Sequence, residues 1–198
     1  MVASLEIIDP LVLGIPRGGV LVAEGVGAAL RSPVDLVVTR KIGAPANREL
    51  AVGAIAPGVQ VWDRDLLVRL GVDPGYLRRT VAAEEAEIER RTRAYRRGRP
   101  SPKVAGRAVV IVDDGLATGA TALAAVRWAR AAEAATVLVA VPVGAPATVA
   151  VLAGEADDVH AIETPASFRA VGEWYEDFGQ TSDDEVLAAL DRAAEVDR

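Results

Sequence analysis

Val109-Val110-Ile111-Val112-Asp113-Asp114-Gly115-Leu116-Ala117-Thr118-Gly119-Ala120-Thr121 decides how this chain is read. Its four β-branched apolar residues predict a strand buried on both faces. Two carboxylates stand where that strand must end. A loop of small residues follows, and the Ala-rich stretch Ala120–Ala132 predicts a helix. Strand, loop and helix N-terminus together form an anion site, because unpaired backbone N–H groups and the positive end of the helix dipole converge there. Thr118 and Thr121 add hydroxyl donors. Carboxylates beside such a loop repel a bare phosphate but accept hydrogen bonds from hydroxyls, so a sugar phosphate satisfies both halves of the motif. The other reading is an ordinary βα turn with an Asp at a helix cap.

The flanking sequence repeats the alternation of strand and helix. Leu11–Gly14 predicts a strand, Gly18–Leu30 a helix and Val34–Thr39 a second, mostly apolar strand. Ile42–Arg48, with Gly, Pro and Asn, reads as a loop. Ala51–Ala56 and Val59–Trp62 are strand candidates around the turn dipeptide Pro57-Gly58, and Asp63–Leu70 predicts a short helix. Asp73–Arg97 predicts a long helix, opened by an Asp cap with Pro at the first helical position and carrying Val81, Ile88 and Tyr95 at intervals of seven. Its arginines (Arg90, Arg91, Arg93, Arg96, Arg97, Arg99) follow Glu84, Glu85, Glu87 and Glu89 at spacings that allow ion pairs, which favours a solvated structural face over a nucleic-acid surface. Thr136–Val141 and Val159–Ile162 predict strands and Pro146–Leu152 a helix. Ser182–Ala194 predicts a helix with Ser182 as cap and Glu185 at the capping-box position. This order predicts an α/β fold with a mainly parallel sheet.

With 198 residues, 51% of them hydrophobic, the chain suits one domain with a sizeable core. A net charge of −6 argues against wholesale binding of nucleic-acid phosphates. With no cysteine there are no disulfides or thiolate zinc sites, and His160 is the only histidine, so His-based triads are poorly supported. No apolar run is long enough to cross a membrane, and Met1–Pro10 lacks the basic start and apolar core of a signal peptide, so a cytoplasmic protein is expected.

Three segments belong with the opening motif if ligands gather at the carboxyl ends of strands. In Gly14-Ile15-Pro16-Arg17-Gly18-Gly19-Val20, two glycines allow close backbone approach and Arg17 supplies a charged fork. In Thr39-Arg40-Lys41-Ile42-Gly43-Ala44-Pro45, an Arg–Lys pair stands at a predicted strand end, in a chain whose only other lysine is Lys103. Phe168–Phe178 holds four of the eight aromatic residues: Phe168, Trp174, Tyr175 and Phe178. Such a cluster suits a planar ligand, or pins the C-terminal helix.

The run from Val109 to Thr121 resembles the phosphoribosyl pyrophosphate (PRPP) signature of type I phosphoribosyltransferases, and the resemblance extends over roughly Leu11–Val141. It implies a three-layer α/β/α fold in a single domain over 1–198. The long charged helix at 73–99 would be an insertion before the motif strand, and 163–198 a C-terminal hood and helix. It implies transfer of phosphoribose from PRPP to a nitrogen acceptor such as a nucleobase, with release of pyrophosphate and with Mg²⁺ as helper.

On this resemblance Asp113 and Asp114 hold the ribose hydroxyls and, directly or indirectly, the metal. Gly115, Leu116, Ala117, Thr118, Gly119, Ala120 and Thr121 cradle the 5′-phosphate. Pro16, Arg17, Gly18 and Gly19 form the pyrophosphate loop, often with a cis peptide, and Arg40 also contacts pyrophosphate with Lys41 close by. Ile42–Arg48 resembles the lid that closes over such sites. Trp174, Tyr175 and Phe178 are the hood that meets the base, and Glu49, Glu173 and Glu176 are candidates for a base. Homodimers are common in such families.

Two departures stand out. Ala117 replaces the acid that hypoxanthine-guanine enzymes use as general base, so the loop is of the adenine type. Only ten residues precede the first predicted strand, so a leading helix found in many relatives is missing or trimmed. The absent base keeps a second reading open, a regulator of the same fold that binds PRPP or nucleotides without turnover. An interaction module docking through the Arg-rich helix is a third. A dinucleotide-binding oxidoreductase is disfavoured, because no G-x-G-x-x-G follows either early strand.

Overall fold

The computed structural model describes residues 9–196. The reading of the N-terminal ten residues falls almost wholly outside them. Fifteen elements follow one another among the described residues. They are β1 (Pro10–Gly14), α1 (Gly18–Leu30), β2 (Val34–Leu36), β3 (Arg40–Ala44), β4 (Asn47–Ala56), β5 (Val59–Trp62), α2 (Arg64–Leu70), α3 (Pro74–Arg96), β6 (Ala108–Val112), α4 (Ala120–Ala131), β7 (Thr136–Val143), α5 (Pro146–Ala153), β8 (Asp158–Glu163), a 3₁₀ turn at Val171–Trp174 and α6 (Asp183–Val196).

Five strands form a parallel sheet in the order β2-β1-β6-β7-β8, with the opening motif's strand β6 at its centre. Alternate side chains of the three central strands point to opposite faces. Leu11, Leu13, Val109, Ile111, Val137 and Val139 meet Ala122, Ala125, Val126 and Ala129 of α4. Val12, Val110, Val112, Leu138 and Ala140 meet Ala23, Val22 and Val26 of α1. This double burial is why the run Val109–Val112 has no polar residue. The α/β fold with a mainly parallel sheet and helices on both faces stands as expected.

A second sheet corrects the expected organisation. β3, β4 and β5 form an antiparallel sheet of their own. The predicted strand Val34–Thr39 stops pairing at Leu36. Val37 N still donates to Gly14 O over 3.1 Å, but Val37 packs toward α4 while Val38 enters a separate core. The chain therefore leaves the parallel sheet there. The predicted loop Ile42–Arg48 is also corrected: it spans the β3–β4 hairpin, turning at Pro45-Ala46. Ile42 is fully buried, and Gly43 lets the backbone of Arg48 approach so closely that a Cβ would lie 2.7 Å from its Cα. Tyr76 of α3 donates to Gly43 O over 2.9 Å, anchoring the hairpin from outside.

The long helix α3 lies on this second core. Val81, Ile88 and Tyr95 are buried with Leu36, Ile42, Val52, Ile55 and, from α6, Val186 and Leu190. Its solvent face is held by ion pairs. Glu87 accepts from Arg90 and Arg91, and those guanidiniums hold its carboxyl down at about 2. Arg93 pairs with Glu89 one turn earlier, while at the end of the helix and just beyond it Arg96 pairs with Asp35, and Arg97 and Arg99 with Asp191. Helix α4 is sandwiched, with Ala122 and Ala125 toward the parallel sheet and Ala124 toward Ala54, Ala56 and Val61 of the antiparallel one. Alanine fits because only a short side chain lets two sheets approach one helix.

Candidate functional site

The carboxyl ends of β1, β6 and β7 lie side by side, and the segments leaving them are interlocked. Ile15 N donates to Val112 O over 2.8 Å, tying the end of β1 to the end of β6. The Pro16–Arg17 peptide is cis, as the resemblance implied. Gly18 and Gly19 then pass directly over the acid pair. A Cβ on Gly18 would strike the Asp114 carboxylate, and one on Gly19 would lie 2.7 Å from Val112 O and 2.8 Å from Asp113 Cα. Only glycine permits this approach. Leu116 N donates to Val143 O over 2.9 Å, Ala145 N donates to Leu116 O over 2.8 Å, and Thr148 Oγ1 donates to Ala117 O over 2.6 Å, fixing the loop after the acids against β7 and α5.

Asp113 is buried and Asp114 half-buried. Burial pushes the Asp113 carboxyl well above the usual range, and the neighbouring Asp114 charge adds to it. Burial also raises Asp114. A pair held so far from water is poised to receive hydrogen bonds or a cation.

Helix capping separates this corner from the rest of the molecule. Asp63 caps α2, Asp73 caps α3, and Ser182 with Glu185 forms the expected capping box on α6. Helices α1 and α4 start at Arg17 and Gly119 without a side-chain cap, Gly119 adopting φ 70°. The N–H groups that open such helices lack partners further back in the helix, although in α1 that of Val20 already donates to Arg17 O. α5 is also uncapped but opens with Pro146.

The hood clamps the acid loop. Tyr175 Oη donates to the backbone oxygen of Asp114 over 2.6 Å, and Val171 packs so close to Gly115 that a Cβ there would lie 2.7 Å from Val171 Cγ1. Phe178 packs against Tyr175 in a tilted arrangement, ring centroids 5.1 Å apart and planes at 46°. Burial and the two acids push the Tyr175 hydroxyl up to about 12. Between this segment and α1 opens a cleft of about 360 Å³, lined by Arg17, Gly18, Asp114, Tyr175, Phe178 and Gln180 among others. Trp174 is 43% exposed and does not line it. Tyr175→Phe is expected to lower the unfolding free energy by about 1 kcal/mol, one hydrogen bond's worth, in urea denaturation.

The predicted cations are placed less uniformly. Arg17 lines the cleft. Arg40 donates to Glu84 of α3 over 2.5 Å, and Lys41 donates to Glu49 across the hairpin over 3.0 Å. Among the described residues neither bonds to Asp113 or Asp114. Glu49 is thereby a partner of Lys41. Thr118, Gly119 and Ala120 border a different cleft of about 330 Å³, walled by Trp62, Leu123, Thr148 and Val151. The described residues hold no cluster of three metal-ligating side chains. No described helix is long and apolar enough to cross a membrane.

Sequence reasoning missed Gln180 and Thr181, which line the first cleft, and Asp183, which lies 3.8 Å from Arg17. The signal available was position: a polar stretch between the aromatic cluster and the Ser182 cap.

The phosphoribosyl transferase domain model matches residues 3–177. Two Mycobacterium tuberculosis proteins, "Putative phosphoribosyl transferase Rv0571c" (strain H37Rv) and its namesake MT0597 (strain CDC 1551), are each 49% identical over 184 residues, 92% of this chain and 42% of theirs. The chain thus spans under half the length of these curated relatives. The crystal structure of TT1426 from Thermus thermophilus is 43% identical, with a TM-score of 0.79 over 96% of this chain and 90% of that one. Motif, fold and relatives agree, and the chain belongs to the phosphoribosyl transferase domain family.

Proposed function

We propose that this chain transfers the phosphoribosyl group of PRPP to a nitrogen acceptor of the nucleobase class and releases pyrophosphate. The single observation that carries the reading is the corner where Gly18 and Gly19 lie against the buried pair Asp113 and Asp114, between the uncapped N-termini of α1 and α4. Sugar hydroxyls fit the acids and phosphates fit the two helix starts.

In the reaction the bond from ribose C1 to the pyrophosphate oxygen breaks, the electron pair leaves with pyrophosphate, a bond from the acceptor nitrogen to C1 forms, and that nitrogen gives up its proton to water or to the departing pyrophosphate. The transition state resembles an oxocarbenium ion. Asp113 and Asp114 accept from the ribose hydroxyls and face the developing positive charge. Gly115–Thr121 and the start of α4 hold the 5′-phosphate, placing C1 for attack. Pro16–Gly19 and Arg17 receive the pyrophosphate. Arg40 and Lys41 reach it by exchanging Glu84 and Glu49 for the incoming anion. Tyr175 and Phe178 form the acceptor wall of the cleft. The β3–β4 hairpin, which includes Ile42–Arg48, is the segment that would close over the substrate. Mg²⁺ suits a donor set of two hard carboxylates, which leaves its other positions to substrate oxygens and water, and when bound it would neutralise the leaving group.

A second reading, a PRPP-binding regulator without turnover, is favoured by Ala117, which puts no acid in the loop, and by the internal carboxylate beside each of Arg17, Arg40 and Lys41. The test is pyrophosphate release from PRPP and Mg²⁺ over a panel of purines and pyrimidines, beside calorimetry with PRPP. Release that depends on one base supports the transferase. Heat of PRPP binding with no release on any base supports the regulator. No binding at all overturns both.

A further inference from the structure

One wall of the cleft carries a contact that the reaction scheme leaves unused. Nη1 of Arg17 lies 3.8 Å from Oδ1 of Asp183, the first residue of α6. The same oxygen accepts a 2.7 Å hydrogen bond from Tyr95 Oη. Tyr95 is fully buried in the second core, so its hydroxyl has no water to turn to. Desolvation and Asp183 together push it up to about 12, which keeps it a donor throughout the neutral range.

Asp183 is half-exposed, but the start of α6 that carries it is held in place. Ser182 N donates to Glu185 over 2.7 Å and Glu185 N donates to Ser182 Oγ over 3.2 Å, setting the first turn. Val186, Ala189 and Leu190 are buried in the same core as Tyr95. Arg192 donates to both oxygens of Glu24, over 2.6 and 2.7 Å, and so ties α6 to α1, the helix that Arg17 opens.

Arg17, by contrast, makes no side-chain hydrogen bond among the described residues. At 3.8 Å its pairing with Asp183 is electrostatic and is made through Nη1. The opposite edge, Nε with Nη2, is one that takes two phosphate oxygens at once. A long side chain held at one end loses less freedom when the other end binds.

We propose that Asp183 is a positioning residue: it steadies Arg17 through Nη1 so that the other edge of the guanidinium faces an anion in the cleft, and buried Tyr95 anchors the carboxylate that does this. The proposal rests on the reading of Arg17 as a pyrophosphate ligand.

Calorimetric titration of the full chain with Mg²⁺–pyrophosphate, and separately with ribose 5-phosphate, tests it on Asp183→Asn, Tyr95→Phe, Arg17→Ala and the double variant Arg17→Ala with Asp183→Asn. Asp183→Asn is expected to weaken pyrophosphate roughly three- to tenfold, about the ordering cost of one flexible side chain. Ribose 5-phosphate affinity should stay unchanged, which also shows that the protein remains folded. Tyr95→Phe should move the same way by less. The double variant should bind pyrophosphate no more weakly than Arg17→Ala alone. Unchanged or tighter pyrophosphate binding in Asp183→Asn, while Arg17→Ala weakens it, overturns the proposal by making Asp183 idle or a competitor. Equal loss of both ligands overturns it as a general disruption. If Arg17→Ala itself leaves pyrophosphate binding intact, the ligand reading of Arg17 falls and the proposal with it.

Discussion

Converting both acids to amides, Asp113→Asn with Asp114→Asn, is expected to abolish PRPP binding in calorimetry while leaving the protein folded and at least as stable as before. The two effects have opposite signs because they come from different properties of the same groups. On the proposed reading each carboxylate would accept a ribose hydroxyl in a charge-assisted bond worth about 1.5–3 kcal/mol, so losing both should cost on the order of 10²–10⁴-fold in affinity. In the unliganded protein the same charges are a liability. Burial raises both carboxyls above the usual 3.8, so the folded state holds its protons more tightly than the unfolded chain does. Their favourable contribution to stability is fully present below the unfolded value, where both states are protonated. It is lost as pH rises through the raised folded value. The amides remove that loss. Thermal melts of the natural protein should therefore show a stability penalty growing above about pH 4 that is absent in the double variant. Unchanged PRPP affinity in that variant would sink the site assignment.

The second large effect is expected from a single methyl group. In Gly19→Ala the new Cβ would sit 2.7 Å from Val112 O and 2.8 Å from Asp113 Cα. Both neighbours are backbone at the end of the central strand, so neither can swing away. Overpacking of this kind costs about 1–3 kcal/mol, which for a domain of this size lowers the melting temperature by roughly 2–12 °C. Because the strain pushes the Arg17 loop away from the acids, PRPP and pyrophosphate should both bind more weakly. Gly25→Ala is the control, since a Cβ there meets nothing within 4 Å. Equal melting temperatures and affinities for the two variants would show that the loop and the acids are not in contact.

What the sequence disclosed follows the range over which each signal acts. Burial of β6 on both faces is written in Val109–Val112 itself, and the α6 cap in Ser182 and Glu185, so both were legible. Helix α1 was placed at Gly18–Leu30, the bounds it has. The β3–β4 hairpin was not, because Gly43 and Pro45 signal a turn, whereas pairing depends on Ile42 reaching a core built by α3 and α6 from far along the chain. The same limit hid the partners of the cations. Nothing near Arg40 in sequence points to Glu84, 44 residues away, and nothing near Tyr95 points to Asp183, 88 residues away. Around the candidate site, the motifs that follow β1 and β6 are local and readable, whereas Arg40 and Lys41, expected at a strand end, open β3 instead. The polar wall at Gln180 and Thr181 became visible only once the hood was folded over Asp114.

The clamp of Tyr175 on Asp114 also sets an order in time. Every proposed phosphate-binding segment precedes residue 122, whereas the hydroxyl that holds the acid loop arrives 61 residues after Asp114. At about 5–20 residues per second, a ribosome needs roughly 3–12 s to cover that interval. During it the nascent chain carries both acids and both glycines but neither Tyr175 nor Asp183. The clamped form of the acid loop is thus acquired late in synthesis, after the motif itself has been made.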